Sequence, residues 1–337
     1  MTVTAEPPTA ARGRSRIFSL AKFVVSAFLL AFIISKAGGH ALAHTLLHAR
    51  PGWLAVGLVL TAGAVGASAA QWQVLLAASD MPRRFRRLLS LEIACKAFDA
   101  ALPSSIGGDV ARTLLVADTP QERLRATRIT LLRRVTGVPG AVVLIALGLA
   151  FCWRQPYAGR ILPYAVICLL GGTAGLVVVA SPLMGTLSRW GLLQRTGASR
   201  VVARLLESLH QFRSEQRALA MASLLELGFW LFVVASAWAY MRAVGIHPPI
   251  AYAAVVVLVV NALSMLPISL GGYGLREGTF SLFLAVGGIA TAAQGAAVGL
   301  CITVQTLLMG LLGIPIYLLL GRQRHALREK QLIAEPT

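Results

Sequence analysis

The sequence predicts an all-α polytopic membrane protein, with about six full spans and two re-entrant helical hairpins in an inverted-topology repeat. Three observations predict it. The 337 residues are 57% hydrophobic and only 13% charged, against about 25% charged in a typical soluble domain, and mean hydropathy is +0.73. Several apolar windows reach the roughly 20 residues that cross a bilayer. One polar motif also occurs twice, in "ALPSSIGGDVARTLL" (101–115) and "MLPISLGGYGLREGTF" (265–280). Both copies read Leu-Pro-x-Ser-apolar-Gly-Gly-x-x-apolar-Arg, at a constant offset of 164 residues.

Residues 1–16 form a basic tail. Ile17–Ser35 is the first span, interrupted only by Lys22. "RGRSR" ahead of it and Ala41-Leu-Ala43 behind it resemble a signal peptide, but the apolar core is too long and further spans follow. The segment reads as a retained span. His40, His44 and His48 then share one helix face at i, i+4, i+8. They suit an interfacial helix on the outer surface, with a metal or proton-sensing site as the alternative. Trp53–Ser79 is the second span.

The stretch from Arg87 to about Ala117 is apolar enough to enter the membrane, yet each arm beside Pro103 holds only about 15 residues. At about 1.5 Å per residue neither arm crosses a core of about 30 Å. Arginines crowd both flanks, at 83–87 and 123–134. A re-entrant hairpin follows: helix in, break at Pro103–Gly108, helix out. Proline ends the first arm by removing a donor, and Gly107 and Gly108 let the backbone turn.

Gly137–Trp153, Ile161–Ser181 and Ala218–Tyr240 continue the spans, the last containing Glu226. Ile250–Leu266, a break at Pro267–Gly272, and Gly274–Gly288 form the second hairpin. Its flanks, "RAVGIHPP" and "GGIATAA", are poor in charge and suit the external side. Thr291–Leu320 is interrupted only by Gln294, Gln305 and Pro315, and residues 322–337 form a tail. The membrane domain is thus 17–321, with repeat halves around 84–181 and 218–320.

The net charge of +18 is unevenly placed. Segments expected inside carry 22 arginines and lysines, and the outside loops carry five. The positive-inside rule therefore puts both termini in the cytoplasm. These residues suit anionic headgroups, and no nucleic-acid motif is present. The four cysteines, Cys95, Cys152, Cys168 and Cys301, lack metal or disulfide spacing. "GGYGLREG" fails as a nucleotide fingerprint on spacing and on context. Neither a metal nor a cofactor is expected.

Broken helices of an inverted repeat meet near the midplane, where irregular backbone survives only inside protein or beside a wet cavity. Asp109 and Arg112 lie one turn apart on the first outgoing arm, and Arg276 and Glu277 hold the corresponding place on the second. A charge at the bilayer centre costs about 2.5–3.5 kcal/mol on insertion scales, so these four need a reason. In one reading they neutralise one another across the hairpins. In the other, Arg112 and Arg276 bind a phosphate as planar donors, helped by the helix N-termini after Gly107-Gly108 and Gly271-Gly272. Glu226, Glu92 and Asp99 are candidates for a proton carrier or a seal, against a local hydrogen bond.

The stretches "LPSSIGGDVARTLLV", "ATRITLLRRVTGV" and "LPISLGGYGLREGTF" resemble the lysylphosphatidylglycerol synthase transmembrane region family, also called flippase-like membrane proteins. The likeness spans roughly residues 17–321. It implies a polytopic bacterial or archaeal membrane protein. In bifunctional members such a region is fused to a soluble aminoacyltransferase and moves the charged lipid across the membrane. This sequence ends soon after Leu320, so a stand-alone member is expected. The family often shows Asp-Arg where Arg133-Arg134 stands here, which weakens any role for an acid at 133.

The expected function is a lipid translocase of the bacterial inner membrane, moving a phospholipid or polyprenyl-linked lipid with an anionic or sugar-bearing headgroup. A lipid-modifying enzyme is a possible partner. The alternatives are a membrane-embedded glycosyl- or phospholipid-transferase and a small-solute secondary transporter. The first lacks a nucleophile–base or metal constellation. The second shares the inverted repeat.

Overall fold

The computed structural model describes residues 38–101, 106–155, 158–180, 215–264 and 272–334, with residues 31 and 35. Among these residues there are ten α-helices and no strand. In chain order they are α1 (Gly39–Leu47), α2 (Pro51–Ala77), α3 (Phe85–Ala101), α4 (Ile106–Val116) and α5 (Pro120–Cys152). They continue with α6 (Ala158–Ala180), α7 (Gln216–Ala243), α8 (Ile250–Ser264), α9 (Leu275–Val286) and α10 (Ala292–Ala334). Apart from residues 31 and 35, the expected first span lies outside the described residues. So do Pro103, Pro267 and Gly271.

Among the described residues, four helices are long and apolar enough to cross a membrane: α2, α5, α7 and the 292–321 part of α10. The chain is a helical, multi-pass membrane protein. Helix α5 starts well before the span expected at Gly137. Thr119 caps it by accepting from the Glu122 amide at 3.2 Å, and Pro120 occupies the first turn. Proline is preorganised there, where its missing N–H would have had no partner. The arginine-rich stretch 123–134 is therefore helical and continuous with the span.

The four helices of the motif pairs are short. At about 1.5 Å per residue, α3, α4, α8 and α9 measure about 26, 17, 23 and 18 Å, each less than the roughly 30 Å hydrocarbon core. The far ends of α3 and α4 return to the same place. Val116 and Ala117 pack with Leu88 and Leu91. Just before α3, Arg83 reaches Asp118 at 3.4 Å and Glu122 at 3.0 Å. The α8–α9 pair closes likewise, with the Tyr252 hydroxyl donating to the Phe283 carbonyl at 2.8 Å. Both pairs are antiparallel hairpins.

Helix α8 is buried on every face from Tyr252 to Val260, as a helix apolar all round must be. It sits in a core built from α5, α6, α7, α9 and α10, with Leu42 of α1. A smaller core joins α2, α3, α4 and α5 around Trp72, Leu75 and Leu132. Helix α10 touches both hairpins through glycines. A Cβ at Gly299 would lie 2.6 Å from the Glu277 Cα, and one at Gly295 2.6 Å from the Ser281 Cα, both on α9. Gly310 and Gly313 press in the same way on α3, against Ala100 and the Ile93 carbonyl. Without a hydrophobic driving force between helices in lipid, such close backbone approach is what holds them together.

Candidate functional site

Arg112 of α4 is 7% exposed and engages three carboxylates. Its Nε donates to Glu92 at 2.9 Å, its Nη2 to Asp99 at 3.0 Å and its Nη1 to Asp109 at 3.2 Å. Only a planar, five-donor guanidinium can serve three acceptors in this way. The other oxygen of Glu92, a fully buried residue, accepts from Arg133 at 2.7 Å and from Ser68 at 3.0 Å. Arg133 also donates to Gln71 at 3.0 Å and lies over the Trp72 ring. Arg134 holds the second oxygen of Asp109 at 2.6 Å. Three acids and three arginines, from α3, α4 and α5, thus form one hydrogen-bonded network.

Gly108 explains itself here. A Cβ on it would run into the Asp99 carboxylate and come within 2.8 Å of Arg112 Nη1. The second glycine of the motif makes room for the ion pair behind it. In the other copy, Gly272 adopts φ 81°, a conformation that L side chains avoid, and accepts from the Arg276 amide at 2.9 Å.

The end of α3 and the turn ahead of α9 touch, where the Tyr273 hydroxyl donates to the Ala100 carbonyl at 3.4 Å. Beside that contact lies a cavity of about 190 Å³, several times the roughly 30 Å³ share of one water. Lys96 and Asp99 of the first hairpin and Asn261 and Arg276 of the second line it, with Thr61, Ser236, Gln305 and Thr306 from the long helices. Lys96 and Asp99 pair at 3.6 Å. Asp99 therefore belongs both to the cavity wall and to the network behind it.

The residues singled out from the sequence fall into separate places. Arg276 faces the cavity, whereas Asp109 and Arg112 stand behind its wall. Their i, i+3 contact is present as one of three that Arg112 makes, and none of the three crosses to the other hairpin. Glu277 is buried, and its carboxylate accepts from the Gly274 amide at 2.7 Å and from the Thr303 hydroxyl. That contact caps α9, as a residue three positions into a helix does. Gly107 lies in the first turn of α4. Glu226 is apart from the cavity, against α5, where a Cβ on Gly137 would come within 2.9 Å of its Oε1. The rings of His44 and His48 stack at 4.0 Å on the short helix α1.

Lys96, the role of Arg133 and Arg134, and the neutral polar wall were not singled out from the sequence. Lys96 carried a usable signal, being a lone cation inside an apolar arm, one turn before Asp99.

Residues 19–313 match the lysylphosphatidylglycerol synthase TM region family. The chain belongs to that family. No curated protein matches it. In this lysylphosphatidylglycerol synthase TM region protein the matched residues hold both hairpins, the six-residue charge network and every side chain named on the cavity wall.

Proposed function

We propose that this protein moves a lipid with an anionic or sugar-bearing headgroup between the leaflets of a bacterial inner membrane. The observation that carries this reading is the shared cavity, where Lys96 and Asp99 from one hairpin and Arg276 from the other line a single space. Ionised groups within a membrane protein are costly and mark the path of a polar cargo by default. In this reading the motif pairs are re-entrant hairpins entering from opposite faces, an inverted repeat with its site near the midplane. Arms too short to cross support the hairpins, and the 22-to-5 bias of basic residues supports cytoplasmic termini.

The phosphate of the headgroup accepts from the Arg276 fork and the Lys96 ammonium, while the acyl chains stay in the bilayer. The arginine network behind Asp99 holds that carboxylate in place, so the wall keeps a net positive character. Movement of the hairpins then exposes the site to each leaflet in turn. Phospholipids and polyprenyl-linked lipids both present the required phosphate, and a lipid-modifying enzyme is the fitting source of cargo.

The test is reconstitution into liposomes with a fluorescent anionic phospholipid, reading leaflet exchange by quenching from outside. Faster exchange than in protein-free vesicles is expected, and Arg276→Gln should remove the gain. Exchange no faster than in empty vesicles overturns the reading. So does conversion of a donor lipid into a new lipid without any transfer between leaflets.

A further inference from the structure

Away from the cavity, Glu226 lies about 15 Å along α7 from its start, well inside the span. Among the described residues its carboxyl group makes no hydrogen bond and no ion pair. It faces Gly137 of α5, where an added Cβ would lie 2.9 Å from its Oε1. A donor one turn along its own helix, the Trp230 indole, is committed to the Gly137 carbonyl at 3.2 Å. One turn before Gly137, on the same face of α5, is Arg133. Its Nε serves Gln71 and its Nη2 serves Ser68 and Glu92, while its Nη1 donates to nothing among the described residues. A guanidinium with an idle nitrogen and a carboxyl group with no donor thus lie one helical turn apart and do not meet. Were both charged, pairing would be the least costly arrangement, because an ionised carboxylate without donors is expensive to hold within a span. The gap fits a carboxyl group that carries its own proton.

The other ionisable groups around it are few. Arg133 and Arg134 attract a negative charge at Glu226 and Glu92 repels it, and Arg134 is held by Asp109. Of the other helices packed closely on α7, α2 has no ionisable residue, α8 only Tyr252, and α10 up to Gly321 only Cys301 and Tyr317. On α7 itself Arg217, Tyr240 and Arg242 stand toward the ends. We infer that Glu226 is a proton-binding site, protonated in this arrangement and closing onto Arg133 Nη1 when the proton leaves. The O–H bond breaks, the proton passes to water, and the carboxylate accepts from the guanidinium instead; uptake reverses each step. Because Nη2 of the same arginine holds Glu92 of α3, the swing reaches the first hairpin, and a proton becomes a ligand that biases how that hairpin sits. A proton site here does not depend on what the cavity carries.

Infrared difference spectroscopy on the full-length protein in detergent tests it, with Glu226→Gln as the subtracted reference. The parent should show a protonated-carboxyl carbonyl band in neutral buffer, absent from Glu226→Gln and lost reversibly as the pH is raised. Arg133→Lys keeps a charge beside Glu92 but has no second prong for Glu226. The band should then persist to higher pH by about one pH unit, the tenfold in proton affinity that a hydrogen bond to a charged group supplies. Glu92→Gln, which releases Arg133, should move the loss of the band the opposite way, and it carries the test if Arg133→Lys does not fold. No band in neutral buffer would make Glu226 a standing carboxylate, and a band that never titrates would make it a permanently neutral acid. Either result overturns the inference. A titration unmoved by both variants overturns Arg133 as the partner. Titration of Glu226 without leaflet exchange would leave the proton site standing and sink the translocase reading alone.

Discussion

At the scale of single residues, the two motif arginines have different surroundings despite their shared motif position. Arg112 satisfies Glu92, Asp99 and Asp109 at once. Arg112→Ala should therefore strand a buried carboxylate, at about 3–5 kcal/mol for a broken buried pair, and lower the melting temperature in detergent. Arg112→Lys should restore little of it, because one ammonium cannot reach acids on two helices in a fixed geometry. Arg276→Ala should lose lipid exchange, and its loss of melting temperature should be smaller than that of Arg112→Ala, which removes a partner from three carboxylates. If the two alanine variants lose stability alike, the division of labour between network and cavity is wrong. The sequence made the paired arginines and the Asp109–Arg112 turn legible, since both follow from local spacing. It hid Arg112's other partners, Glu92 and Asp99, and the partners of Arg133. Glu92 meets Arg133 only because α3 and α5 are packed together, across 41 residues of chain, and no periodicity encodes that contact.

At the scale of elements, helix length was legible and helix boundaries less so. The short arms followed from arginine-rich or charge-poor flanks, while the early start of α5 depended on a Thr119-Pro120 cap ahead of a stretch too basic to read as span. The hairpins make two predictions. Single cysteines replacing Arg87 and Arg123 should react with an impermeant maleimide from one side of the membrane, and cysteines replacing Pro249 and Ala290 from the other. Opposite-side labelling within either pair would turn that hairpin into a full crossing. Gly108→Ala should displace the Asp99 carboxylate from Arg112 and lower the melting temperature, since the added Cβ occupies the place of that carboxylate. Gly66→Ala, where an added Cβ would meet nothing within 4 Å among the described residues outside its own helix backbone, should be neutral or raise stability by up to about 1 kcal/mol, the helix-propensity difference. Comparing the two melting curves checks this.

At the scale of the whole molecule, α10 matters most, because its backbone lies directly against both hairpins. Gly295 and Gly299 seat it on α9, and Gly310 and Gly313 seat it on α3. The sequence showed a long apolar helix there but could not show its neighbours, since glycine spacing alone does not name the surface a helix meets. Gly299 and Gly313 are about 21 Å apart along the axis at about 1.5 Å per residue, a separation at which independent substitutions ordinarily add. Gly299→Ala and Gly313→Ala should nevertheless combine non-additively in exchange rate, while adding in melting temperature. Simple addition in both would mean that the hairpins move independently. The feature at stake is a single axle carrying two doors. In the proposed translocase, with no side chain to act as a clutch, turning one door would turn the shaft beneath the other. The two openings would then share one degree of freedom, and a passage open at both ends would require bending the shaft itself. A translocase with this linkage would be leak-proof by gearing, not by the tightness of either seal.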